Sequence, residues 1–208
     1  MLPQKLQEIL NDHDPEDISI SILKIVFEGQ DPTFQIRVLG DGYNDESNYI
    51  YEWTVNTVRF RTSRLSFDLA SQIVLVDNHP LLWQYSDKQS QLYFRGACSD
   101  SDKLFLDLYR VHNSIFGGLL NFESTINQAY NFDNLMKSRN ALLANGPRQL
   151  MDEYRVVLER HNLECSIIGD KIPTYWDGEN HVLENGSAKV LFFDDCYMIA
   201  DAFEFTAD

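Results

Sequence analysis

The period of the apolar residues changes twice along the chain, and this order constrains the fold more than any other feature. Over positions 18–95 apolar and polar residues alternate, over 99–162 the apolar ones recur at three and four residues, and over 163–205 they alternate again. A period of two places one set of side chains on one face of a strand, and a period near 3.6 draws a stripe along a helix. Strands, then helices, then strands lack the regular alternation of elements that a parallel doubly wound sheet requires. The pattern therefore predicts an α+β fold, with a mostly antiparallel sheet from N-terminal and C-terminal strand meanders and a central group of three to four helices packed on it. A single domain over 1–208 is expected. A β-rich subdomain 1–96, and a subdomain 97–208 of helices plus a C-terminal hairpin, form the alternative division.

Individual segments sharpen this outline. Leu2, Leu6, Ile9 and Leu10 behind Pro3 predict a short opening helix. In "TFQIRVLG" Phe34, Ile36 and Val38 share one strand face. Tyr49, Tyr51, Trp53 and Val55 share another before the pattern passes to Val58 and Phe60, which predicts a bulge near Asn56. Ser99 and Asp102 have the spacing of a capping box, followed by the stripe Leu104, Leu108, Val111 and Ile115 and by the stop at Gly117 and Gly118. A weaker helical stretch runs through Ile126, Ala129 and Tyr130, and a further helix is expected over about 133–144. The clearest helix, over 147–162, buries Leu150, Met151, Tyr154, Val157 and Leu158. Asn185-Gly186 is a two-residue hairpin signal.

Composition narrows the chemistry. Apolar residues make up 44% of the chain, enough for a globular core. Against 17 Lys and Arg stand 32 acids, a net charge of -15 that repels phosphate backbones and anionic lipid. No general nucleic-acid binding and no membrane association are expected, whereas a basic protein partner suits the field. The opening "MLPQKLQEIL" lacks the basic end and apolar stretch of a secretory signal, so a cytoplasmic location is expected. Cys98, Cys165 and Cys196, odd in number and far apart, read as reduced, buried small hydrophobes.

The sequence contains no Gly-rich phosphate loop, dinucleotide fingerprint, His pair at zinc-helix spacing or Cys-x-x-Cys. The five histidines are too dispersed to define a metal site, and no metal or cofactor is expected. His112 and His161 follow apolar helix positions by four residues and read as hydrogen-bonded histidines at the edge of the core. The acidic loop 41–48 lacks the alternating ligands and distal Glu of a calcium loop, and reads as a solvated turn.

Two stretches and one isolated acid remain as candidates. Tyr175, Trp176, Asp177, Glu179 and His181 set aromatic faces beside carboxylates and an imidazole, a mixture suited to a small polar ligand or a protein partner. Arg59 and Arg61 share one face of a predicted strand, with Arg64 beyond; such a pair clamps an anion or is neutralised by acids on the next strand. Asp194 and Asp195 fall at a turn between two strands, where short carboxylates bond their own backbone. In a regular strand Asp201 would share an apolar face with Tyr197, Ile199, Phe203 and Phe205, and an unpaired buried charge is costly. Helical spacing of Met198, Ile199, Ala202 and Phe203 favours Asp201 turned outward; the alternative is burial against an arginine.

These features favour a non-enzymatic protein-binding or regulatory module, of which an immunity-like inhibitor is one form. The competing expectation is a small-molecule-binding or hydrolytic domain with a polar Arg/Asp/His cleft drawing on Arg59, Arg61, Asp177, Glu179, His181 and Asp201. An edge at the last strand admits homo-oligomer formation.

Overall fold

A computed structural model of the chain describes residues 1–40, 49–66, 68–129 and 131–207. The acidic loop 41–48 and Tyr130 lie outside the described residues. Two compact units emerge: residues 1–79 with 187–208, and residues 80–186.

The first unit begins with helix α1 (Gln4–Asp12), whose stripe buries Leu6 and Ile9. Strands β1 (Ile18–Glu28), β2 (Asp31–Gly40) and β3 (Tyr49–Val58) follow as an antiparallel meander, then β4 (Thr62–Arg64) and β5 (Ile73–Val76). The period-two reading of β2 holds: Phe34, Ile36 and Val38 are buried and their neighbours are not.

The second unit contains α2 (Trp83–Ser86), β6 (Gln89–Arg95), α3 (Ser101–Phe116), α4 (Phe132–Lys137), β7 (Asn140–Pro147), α5 (Arg148–Arg160), β8 (Glu164–Lys171), β9 (Thr174–Trp176) and β10 (His181–Leu183). Its antiparallel sheet has the order β7-β6-β8, with β9 and β10 forming a separate two-stranded ribbon. Helix α5 packs on all three strands of that sheet and on α3. Leu150, Met151, Tyr154, Val157 and Leu158 form its buried stripe, as the spacing predicts.

The chain then re-enters the first unit as β11 (Lys189–Phe193), β12 (Cys196–Ala200) and β13 (Ala202–Ala207). Strand β13 joins β3 to complete a sheet of order β1-β2-β3-β13, while β11 and β12 complete a second of order β4-β12-β11-β5. Both sheets contribute to one core: Phe34, Ile36, Trp53 and Val55 from the first meet Ile73, Leu191, Phe193 and Met198 from the second. The α+β class and the antiparallel pairing of N-terminal with C-terminal strands are thus as expected. The central helices in addition pack on strands of their own.

Several local expectations are corrected. No bulge interrupts β3 at Asn56, which stays in register with Glu204; Thr57 continues the buried face and donates to the Pro32 carbonyl at 2.7 Å. The change of phase comes at Arg59, where the backbone turns left-handed with φ 52°. The N-cap of α3 is Asp100, which accepts from the Lys103 amide, and the second half of its buried stripe runs through His112 and Phe116 rather than Val111 and Ile115. Over 133–144 the helix stops at Lys137 and the chain becomes β7, whose Ala144 bridges Ile126 in place of the weak helix expected there. Asn185-Gly186 closes no hairpin: β10 pairs with β9, β11 pairs with β12, and the dipeptide lies where the chain passes between units. Among the described residues no helix is long and apolar enough to cross a membrane.

Candidate functional site

Asp201 occupies the break between β12 and β13, and its side chain is 11% exposed. Arg59 reaches one of its carboxylate oxygens at 2.7 Å and Arg61 reaches the other at 3.1 Å. The Ser187 hydroxyl donates to the same oxygen as Arg59, at 2.7 Å. The backbone frames this cluster, since the Asp201 amide donates to the Val58 carbonyl and the Arg61 amide to that of Ile199. The outward reading of Asp201 is therefore corrected, and the physical reason is charge: two guanidiniums and a hydroxyl satisfy an acid that would otherwise be costly to bury. Nor do Arg59 and Arg61 share a strand face. β3 has ended at Val58, and the left-handed turn at Arg59 lets both side chains converge on one acid.

Asp194 and Asp195 do form the β11–β12 turn, with Asp194 at φ 48°. Their expected bonds to their own backbone give way to a longer reach. The Asp194 carboxylate accepts from the amides of Ser71 and Gln72, at 2.8 and 3.1 Å, and so ties the turn to the approach of β5. The three cysteines are free and half-buried. The Ser66 amide donates to the Cys196 sulfur at 3.2 Å.

In the second unit the remaining candidates form the ribbon of β9 and β10. Trp176 pairs with His181, Tyr175 with Val182 and Thr174 with Leu183. By the alternation of strands, Trp176, His181 and Leu183 share one face. Trp176 is 51% exposed and Leu183 58% exposed, while His181 meets the indole edge to face at 5.2 Å. Asp177 builds the tip: its carboxylate accepts from the amides of Asn180 and Glu179, at 2.7 and 2.8 Å, and these bonds hold its pKa below the ordinary value. Gly178 sits there at φ 109°, a conformation that suits glycine. Glu179 is exposed beside it, and at the root the Glu184 amide donates to the Pro173 carbonyl.

Arg59, Arg61 and Asp201 therefore come together in one unit, and Tyr175, Trp176, Asp177, Glu179 and His181 in the other. Sequence reasoning missed Val182 and Leu183, which are 37% and 58% exposed on the ribbon; the signal was the apolar pair in "HVLE" after the aromatic loop. His161 donates from Nε2 to the Asp107 carboxylate at 3.0 Å, and His112 lies between the Tyr154 hydroxyl and the Leu120 carbonyl, both as hydrogen-bonded histidines of the core edge. Among the described residues no group of three or more His, Cys, Asp and Glu stands close enough to hold a metal ion. No protein-family model matches the chain, and neither a curated protein nor a solved structure does.

Proposed function

We propose that the protein is a non-enzymatic binding or regulatory module, an immunity-like inhibitor being one form, that engages a basic protein through the β9–β10 ribbon. The observation that carries this reading is the exposure of Trp176 and Leu183 on one face of a ribbon whose tip and root are acidic. Over residues 170–186 of the second unit stand Asp170, Asp177, Glu179 and Glu184 against Lys171, so the ribbon presents an apolar centre between acids. A partner with a complementary basic rim gains attraction at long range and burial of the indole at contact.

The competing reading, a hydrolytic or small-molecule site built on Arg59, Arg61, Asp177, Glu179, His181 and Asp201, has weaker support. Asp201 already occupies both guanidiniums, and Asp177 is committed to its own turn. Groups engaged in this way are poorly placed to clamp an anion or to act as a general base.

Affinity capture with the tagged chain, washed at low and high salt, tests the proposal. The expected result is a basic protein that is lost at high salt and also lost with Trp176→Ala. A partner retained at high salt and indifferent to Trp176→Ala would overturn it.

A further inference from the structure

The second unit also holds an open cleft of about 520 Å³, walled by α2, the start of β6, the end of β7 and the start of β9. Charged residues make up 24% of the chain, yet among the described residues none lines this cleft. Its polar side chains are the amides of Gln84, Gln89 and Asn145 and the hydroxyls of Tyr85, Ser124, Thr125 and Thr174. A charged ligand would lose water here and meet no counter-charge, which is costly. An uncharged ligand with several hydroxyls would exchange its water bonds for bonds to groups that both donate and accept.

The inner wall is held rigid by buried polar contacts. Thr125, 4% exposed, donates to the Phe122 carbonyl at 2.9 Å and lies 3.2 Å from the Tyr154 hydroxyl. Tyr154 in turn lies 2.7 Å from Nδ1 of His112, whose Nε2 stands 2.8 Å from the carbonyl of Leu120, itself a wall residue. Burial lowers the pKa of His112 and raises that of Tyr154, so both stay neutral near pH 7. In the neutral imidazole, Nε2–H then donates to Leu120 and Nδ1 accepts from Tyr154. The amide nitrogen of Gln89 donates to the carbonyls of Trp83, Gln84 and Asp87, at 3.2–3.4 Å, so this amide offers a ligand its carbonyl oxygen. Fixed donors and acceptors beside a half-buried tyrosine ring recognise vicinal hydroxyls together with an apolar C–H face.

We infer that this cleft binds a neutral saccharide, with the amides of Gln84, Gln89 and Asn145 reading its hydroxyls and Tyr85 supplying the apolar wall. The site uses neither Trp176 nor Leu183, on which the basic-partner reading rests, and shares with their face only Thr174 at its border. Its volume falls within the range of small-molecule sites, roughly 300–1,000 Å³.

The test is a ¹H–¹⁵N NMR titration of the full chain with glucose, galactose, mannose, N-acetylglucosamine and their neutral disaccharides, beside glucuronate and glucosamine. The expected result is that at least one neutral sugar shifts the resonances of Gln84, Gln89 and Asn145, and that the charged sugars bind at least tenfold more weakly. Asn145→Ala, at an exposed position that leaves the core untouched, weakens that binding at least tenfold, with Thr174→Val as the second variant, while Trp176→Ala leaves it unchanged. Absence of shifts at the wall with every neutral sugar, or equal binding of the charged sugars, would overturn the inference.

Discussion

At the scale of single residues, the acid at position 201 carries more of the structure than its place in the sequence suggests. Asp201 joins the end of β3, the approach to β4, the break between β12 and β13, and Ser187, where the chain re-enters the first unit. Asp201→Ala removes the acid on which two guanidiniums and the Ser187 hydroxyl converge, and Arg61 is only 8% exposed. Removing one partner of a buried pair costs about 3–5 kcal/mol; with Arg59 30% exposed and partly screened, we expect about 2–4 kcal/mol in urea denaturation. A loss below about 0.5 kcal/mol, the level of an ordinary surface change, would refute this role. His112 acts through protonation. Burial holds its folded pKa below 6.5, so below pH 6.5 the unfolded chain takes up a proton that the folded chain refuses. Its contribution is fully present above pH 6.5 and is lost as the pH falls toward the depressed folded value. His79, also lowered by burial, acts with the same sign. Urea midpoints at pH 7, 6 and 5 should therefore fall with acidification, and less steeply in His112→Gln; identical slopes in the two proteins would remove His112 from the account.

At the scale of elements, what could be read in the sequence followed how many neighbours each pattern needs. The stripe of α5 and the alternation of β2 are self-contained, because a helix or strand with one apolar face can be buried in only one orientation. The α4–β7 segment was misread as one helix because its apolar residues fit helical spacing, while the deciding fact is remote: β7 pairs along its length with β6. Such tertiary pairing overrides local propensity. The ribbon residues were legible as a candidate because aromatic and acidic side chains are adjacent in sequence. That Asp177 would build the tip, and that Leu183 would complete the face, depended on the register of β9 against β10. The Arg59–Asp201 contact was legible only as one of two alternatives, since it spans two distant segments and turns on a left-handed residue that the strand pattern of "VRFRTSR" conceals. The saccharide cleft left no sequence signal at all: its three amides come from three elements, α2, β6 and β7, and uncharged polar residues are common in any loop.

At the scale of the whole molecule, the path of the chain makes its own prediction. The second unit is one continuous segment, 80–186, whereas the first is assembled from both ends of the chain. The continuous segment has its own sheet and its own buried set, including Leu92, Phe94, Leu104, Leu108, Leu143 and Leu158, each at most 1% exposed. A segment that carries its own core and closes its own sheet meets the physical conditions for folding alone. Its helices α3 and α5 also make contacts that are local in sequence relative to those of β13 with β3, which must wait for the whole chain. Residues 80–186 expressed alone should therefore unfold cooperatively in urea, with far-ultraviolet circular dichroism of a mixed helix and strand fold. The excised segment should also retain both proposed sites, because the ribbon and the cleft lie wholly within it. A non-cooperative, largely unfolded segment would mean that its core is stable only within the full chain, and that the two units form one folding unit.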